Sequence, residues 1–245
     1  MFNFIRVLVG ALALVLAVPA ALGQRNYPNK PIRLVVTFPP GGSADVVVRM
    51  LTPRLNEKLG KPVVVDNRPG AGGNIGLAVV AKAPADGYTL GVGAAGALAA
   101  NASLYSQVPF EPLKDFEPVT MLAAIPFVII GHPSLDARTL QDVIALARSQ
   151  PARVSIAHGG NGTAMHLTSQ LFAQMGNLKI TEIPYKGSGP VALDVLSGQV
   201  PLGVADLPAA LQHIRAGKLV AFAVTTAQRL PQLPDVGSPR FQCNK

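Results

Sequence analysis

Ile32-Arg33-Leu34-Val35-Val36-Thr37-Phe38-Pro39-Pro40-Gly41-Gly42-Ser43-Ala44-Asp45 is the stretch on which the fold turns. Its first six residues are rich in branched apolar side chains, as a buried strand requires. Phe38-Pro39-Pro40-Gly41-Gly42 stops that strand, because proline removes a ladder donor and glycine admits turn dihedrals. Apolar Val47, Met50, Leu51 and Leu55 then recur at helical spacing, so a helix is predicted from about Ser43 to Leu59. This is one β-loop-α unit.

The unit repeats along the chain. Val63-Val64-Val65 reads as the next strand, Arg68 to Gly73 as a loop, and Asn74 to Ala83 as a helix; Ala85-Asp86-Gly87 turns the chain into the strand Tyr88 to Val92. A proline-rich connection follows through Pro109, Pro112 and Pro118, and then an apolar stretch from Val119 to Ile130. The series restarts with a helix over Leu140 to Ser149, the strand Val154 to Ala157, the loop His158-Gly159-Gly160-Asn161-Gly162, and a helix over Thr163 to Met175. The strand Ile180 to Pro184, the loop Lys186 to Gly189, a helix over Val191 to Leu196, and the segments Pro201 to Ala205 and Leu219 to Thr225 complete it. Repeated units of this kind predict an α/β protein with parallel sheets covered by helices. Two successive series predict two lobes. The chain should cross first near Leu122 to Ile130 and return near Leu219 to Thr225, which places lobe one at 24–124 plus 223–245 and lobe two at 125–222.

The first residues read as an export leader. Arg6 precedes an unbroken apolar run from Val7 to Val18, and Ala21 and Gly23 satisfy a small-x-small rule, so residues 1–23 are expected to be removed before Gln24. That run is shorter than the ~20 apolar residues a bilayer core needs. The remainder is expected to be free in the periplasm.

Bulk composition narrows the function classes. The 245 residues are 49% hydrophobic and 14% charged, with a formal net charge of +8. Lysines and arginines are scattered, and 5% aromatics without tryptophan offer few stacking platforms, so nucleic acid is not an expected partner. A mild bias toward anionic small molecules remains. Cys243 is the single cysteine, which excludes an internal disulfide and a cysteine-rich zinc site.

Two loops could carry chemistry. In Pro40-Gly41-Gly42-Ser43-x-Asp45, the glycines let backbone approach a ligand and Ser43 is a credible N-cap, so the free amides of a helix start could hold an anion. Asp45 suits the helix dipole and could instead stiffen the turn. His158-Gly159-Gly160-Asn161-Gly162-Thr163 has the same pattern, with Thr163 as the expected N-cap. Each loop also reads as an ordinary capped turn. Gly91-Val92-Gly93-Ala94-Ala95-Gly96 matches a dinucleotide fingerprint letter for letter, but it stands third among the units, and Glu111, about twenty residues on, lies between prolines rather than at a strand end. No cofactor is therefore expected. His158, His166 and His213 do not pair at metal-ligand spacing, no nucleophile elbow is present, and no two carboxylates are spaced for acid–base work, so neither a metal site nor a catalytic residue is expected.

These stretches resemble the Bug-type receptors of tripartite tricarboxylate transporters. The resemblance runs from about Tyr27 to Val236 and rests on Tyr27-Pro28-x-Lys30-Pro31-Ile32-Arg33, Pro40-Gly41-Gly42-x-x-Asp45, Val65-Asp66-Asn67-Arg68-Pro69-Gly70-Ala71-Gly72-Gly73-Asn74-Ile75-Gly76 and Ala85-Asp86-Gly87-Tyr88-Thr89-Leu90. Pro184-Tyr185-Lys186-Gly187, Ala216-Gly217-Lys218-Leu219 and Ala223-Val224-Thr225 follow in order. The resemblance implies a type II-like, two-lobed binding-protein fold that closes on its ligand like a flytrap, with hinge crossover strands. It implies a small carboxylate ligand, meaning a mono-, di- or tricarboxylate or an amino acid, held partly through ordered waters. Carried over, it points to Pro40, Gly41, Gly42, Ser43 and Asp45 in lobe one and to Gly160, Asn161, Gly162 and Thr163 in lobe two. Tyr185, Lys186, Gly187 and Asp206 are expected nearby, with Gly73 and Asn74 on the floor.

The implied partners are membrane permease subunits. A sensor kinase reading the closed form is the alternative. Ala94-Ala95 replaces a position where the family often carries a hydroxyl. Family members also continue past Pro234-Asp235-Val236, whereas Gly237 to Lys245 matches nothing in the pattern. The expectation is a shortened chain lacking helices that cover lobe one and the hinge, with a non-functional remnant as a further alternative.

Overall fold

A computed structural model describes residues 27–237; the expected leader and the tail after Gly237 lie outside them. The strand that opened the reading is β1 (Ile32–Val36). It is central in a three-stranded sheet of order β2-β1-β3, with β2 (Val63–Asn67) and β3 (Thr89–Val92) both parallel to it. Flanked on both edges, β1 has no exposed ladder, which is why its sequence is apolar almost throughout.

Helix α1 (Ser43–Leu59) connects β1 to β2. Its length is as predicted, but its buried face is not. The core of this sheet takes Val48, with Ala44, Leu55 and Leu59 packed around it, whereas Met50 is 74% exposed and Leu51 is exposed as well. Two apolar stripes run along the helix, and contact with Ile32, Leu34 and Val36 selects the one through Val48. Gly60 ends α1 in the left-handed region, donating its amide to Asn56 O. Beyond β2, a short 3-10 turn (Ala71–Gly73) leads into α2 (Asn74–Ala81). After β3, a π-helical turn (Gly96–Ala100) runs into the short α3 (Asn101–Leu104). These last two are not legible in the sequence, and they begin at Gly96, the final residue of the segment that mimics a dinucleotide fingerprint.

The second sheet has five strands in the order β6-β5-β7-β4-β8. Strand β4 (Phe127–Gly131) enters it, α4 (Leu140–Ser149) follows with a Thr139–Asp142 capping box, and β5 (Ser155–His158) leads to α5 (Ala164–Gly176). Then come β6 (Thr181–Pro184), α6 (Ser188–Leu196), β7 (Leu202–Asp206), α7 (Leu207–Arg215) and β8 (Val220–Val224). Strands β5, β6 and β7 run parallel, while β4 is antiparallel to both β7 and β8. The expected crossing segment is shorter than its apolar sequence implies: Val119, Met121 and Leu122 are exposed, and only Phe127–Gly131 forms strand.

The β4–β8 pair closes one edge of the second sheet. Phe127 N donates to Thr225 Oγ1 at 3.0 Å, and Thr225 N returns the bond to Phe127 O at 3.0 Å. Sequence-distant residues are thus locked side by side where the chain enters this sheet. Val128, Ile130 and Val224 are essentially unexposed there. Ile130→Val should cost about 1 kcal/mol in a chemical melt, the usual loss for one buried methylene.

Candidate functional site

The first predicted loop is held rigid by Asp45. This carboxylate is 2% exposed and has every oxygen engaged: Oδ2 accepts from Gly41 N at 2.9 Å and from Arg49 Nε at 2.9 Å, and Oδ1 accepts from Asn67 Nδ2 at 2.9 Å. Burial alone would raise its pKa, but the bonds from Arg49, Gly41 and Asn67 outweigh that and hold it at about 2. Asp45 therefore shapes the loop from behind, with three of its bonds going to the protein itself.

The same bonds identify which amides remain available. Gly41 sits at φ +78°, a conformation suited to glycine, and its N–H goes to Asp45. Gly42 N turns back to Pro39 O at 3.3 Å. The N-cap of α1 is Gly42 and not Ser43, which sits one residue inside the helix. The donors left at this helix start belong to Ser43, Ala44 and Asp45, since Val46 N is the first amide with an acceptor, Gly42 O. The Ser43 hydroxyl reaches across to the Asp206 carboxyl on the second sheet, where burial pushes the acid's pKa up and the serine bond partly offsets it.

On the other side, Thr163 is the N-cap of α5, as predicted. Its Oγ1 accepts from His166 N at 3.3 Å and donates to Gly160 O at 2.7 Å. Gly160 N and Gly162 N are spent on the Nδ1 atoms of His158 and His166, at 3.2 and 3.3 Å. The helix-start amides of Ala164 and Met165 remain. Gly187 caps α6 at φ +100°, a conformation that favours glycine, and the buried Ser188 Oγ accepts from Asp206 N at 2.6 Å.

The two sides meet. Tyr105 OH donates to Asn161 O at 2.9 Å. A Cβ built on Gly72 would lie 2.7 Å from Asn161 O, one on Gly162 would lie 2.7 Å from Tyr105 Cε2, and one on Gly187 would touch Pro39. Pro40 and Gly41 are exposed at the rim, as are Asn161 and Lys186. Gly73 and Asn74 are buried below, where Asn74 Oδ1 accepts from Asn101 Nδ2 at 2.9 Å. Asn101 Oδ1 is fully buried beside Gly162 with no donor, an uncommon state for a buried acceptor. Tyr105 and Asn101 are absent from the sequence reading. Their only signal is their place just after the third unit's loop.

Tyr185 departs from its expected role. Its hydroxyl donates to Asp194 Oδ2 at 2.6 Å on α6, and that bond, with burial, pushes the phenol up to about 12. Tyr185→Phe should lower stability by about 1–2 kcal/mol in a denaturant melt, the loss expected when Asp194 is left without this donor.

The histidines also depart from the reading. Sequence spacing kept them apart, but His158, His166 and Glu182 bring potential ligand atoms within 4.8 Å of one another. Elsewhere, a groove of about 430 Å3 on β1 and β2 is lined by Pro31, Ile32, Arg33, Val64, Val65, Asp66 and Arg68. Its charges are mutually satisfied, because Asp66 accepts from both Arg33 and Arg68. No described helix is long and apolar enough to cross a membrane.

Two α/β lobes, a pair of antiparallel crossing strands and opposed glycine turns define a periplasmic binding protein of the type II-like, two-lobed class. The chain belongs to the tripartite tricarboxylate transporter receptor family, whose signature matches residues 47–240. It is similar to protein BugT of Bordetella pertussis (strain Tohama I), with 39% identity over 240 residues, which is 95% of this chain and 74% of BugT. Among solved structures it is similar to R. palustris Rpa4515 with adipate, at 38% identity and a TM-score of 0.81 over 87% of this chain and 71% of that one. It also matches MatC from Rhodopseudomonas palustris with bound malate, at 30% identity and a TM-score of 0.82 over 87% and 73% of the two chains.

Proposed function

We propose that this protein is an extracytoplasmic receptor that traps a small carboxylate between its lobes and delivers it to the permease of a tripartite tricarboxylate transporter. The lobes are assigned as 24–124 with 223–245, and 125–222. The observation that carries this reading is the set of helix-start amides with no protein acceptor: Ser43, Ala44 and Asp45 on one lobe, Ala164 and Met165 on the other, with the second of these loops already in contact with the opposite lobe through Tyr105 and Asn161. Amides at helix starts attract a carboxylate by direct donation and by the helix dipole. A ligand that bridges the two sets binds the closed form better than the open one and so drives closure. Pro40, Gly41, Gly42, Gly73, Asn74, Gly160, Gly162, Thr163 and Gly187 act here as backbone shape, Asp45 as a brace, and Asn161, Lys186 and Asp206 as side chains at the rim or wall. The likeness to relatives carrying adipate and malate supports a dicarboxylate. The reading is of a receptor that binds and releases without chemistry, and membership of a receptor family supports it.

Titration calorimetry against four- to six-carbon dicarboxylates, beginning with malate and adipate, tests the proposal. The expected result is saturable one-to-one binding of at least one acid and no binding of the matching uncharged diamide. Equal binding of acid and diamide contradicts it.

A further inference from the structure

His158 and His166 stand behind the second ligand loop, outside the cleft proposed above. Their rings lie 4.7 Å apart between centroids, with His158 1% exposed at the end of β5 and His166 in the first turn of α5. Glu182 approaches from β6, with Oε2 3.6 Å from His166 Nε2. The same carboxylate accepts from Ser169 Oγ and Gln170 Nε2. Three such groups invite a metal reading, but the ring nitrogens argue otherwise. A metal-bound imidazole ordinarily donates its second N–H to an acceptor. Here the second nitrogen of each ring faces a donor: Gly160 N for His158 and Gly162 N for His166. Each Nδ1 must therefore be unprotonated, which puts the hydrogen of the neutral ring on Nε2, and for His166 that is the Glu182 side.

We propose that His158 and His166 are positioning residues that hold the second ligand loop in its binding shape by accepting the Gly160 and Gly162 amides, and that acid releases it. Gly160 and Gly162 have φ of +116° and +76°. These two bonds turn the Gly160 and Gly162 amides inward, and Thr163 holds the Gly160 carbonyl within the same turn. Asn161 O, between the two glycines, accepts from Tyr105 OH of the other lobe. Protonation would place a hydrogen on Nδ1 directly opposite an N–H, and donor against donor repels. Burial, followed by the neighbouring His166, lowers the His158 pKa, while Glu182 and the Gly160 contact act in the opposite sense. The neutral ring is thus favoured in the folded protein, and loop order is lost as the pH falls below the ordinary histidine range. The charged groups facing the pair are each other and Glu182; the nearby Tyr185 and Asp194 are bonded to one another. The consequence is a receptor that holds ligand at neutral pH and lets it go in acid.

The test needs no ligand, so its outcome is separable from that of the function proposed above. Nitrogen-15 imidazole spectra of the full chain at about pH 8 should show both rings protonated at Nε2 only. On acidification to about pH 5, hydrogen-exchange protection of the Gly160 and Gly162 amides should fall at least tenfold, beyond the change in intrinsic exchange. His166→Asn supplies a side-chain oxygen near the Nδ1 position and cannot take up a proton, so it should keep Gly162 protection nearly level across this range. His166→Leu should lose that protection at every pH, with His158→Asn as the second variant if this one fails to fold. An Nδ1-protonated tautomer in either ring overturns the proposal. So do protection that is flat with pH in the parent chain, and Zn2+ binding that shifts both Nε2 resonances at neutral pH.

Discussion

Gly162→Ala should weaken dicarboxylate binding by at least about 100-fold, or about 2.7 kcal/mol, in a titration at neutral pH. The new methyl group would fall 2.7 Å from Tyr105 Cε2 and directly against Asn101 Oδ1, both on the opposite lobe, at a φ of +76° that alanine resists. The obstruction exists only where the lobes touch, so the penalty falls on closure. Gly72→Ala provides a reciprocal check from the other side, since its methyl would meet Asn161 O at 2.7 Å. Either change alone blocks the same contact, so the pair together should cost much less than the sum of the singles. Additive losses would mean that the two glycines act in separate places.

Asp45→Ala should destabilise the protein by about 2–3 kcal/mol, because it removes the buried carboxylate on which the Gly41 amide, the Asn67 side chain and Arg49 converge. Its pH signature distinguishes it from generic loop damage. The folded carboxyl sits at about 2 against an ordinary 3.8, so the carboxylate contributes stability that is full above the ordinary value and lost as the pH falls through the folded one. That displacement corresponds to about 2 kcal/mol. Asp45→Asn should flatten this acid-side slope in urea melts. Affinity should fall as well, since the helix-start amides of Ser43 and Ala44 lose their support.

Much of this molecule was readable beforehand, and the exceptions have physical causes. Ile32–Val36 announces itself because a central strand buried along most of its length is apolar at every position but Arg33. The glycine turns before α1 and α5 were legible because glycine and a capping residue sit directly before a helical period. The face of α1 was not legible: two apolar stripes compete, and only the sheet decides between Val48 and Met50. Helix α7 was missed although Pro208 in its first turn is an ordinary helix-start signal. Sequence also showed where backbone donors gather without showing which are already used. Gly41, Gly42, Gly160 and Gly162 looked like ligand donors, yet Asp45, Pro39, His158 and His166 accept their amides. The donors proposed for the ligand lie one or two residues further on, inside the helices. The meeting of His158, His166 and Glu182 was hidden because β5, α5 and β6 each contribute one residue and no spacing rule spans three elements.

A crystal structure of the protein with a bound dicarboxylate, adipate being the first to try, tests the central claim most directly. One carboxylate should lie within hydrogen-bond reach of Ser43 N and Ala44 N, and protein donors from the second lobe should complete the enclosure. Density for the acid in the Arg33–Arg68 groove, with the interlobe amides facing empty solvent, would contradict the account.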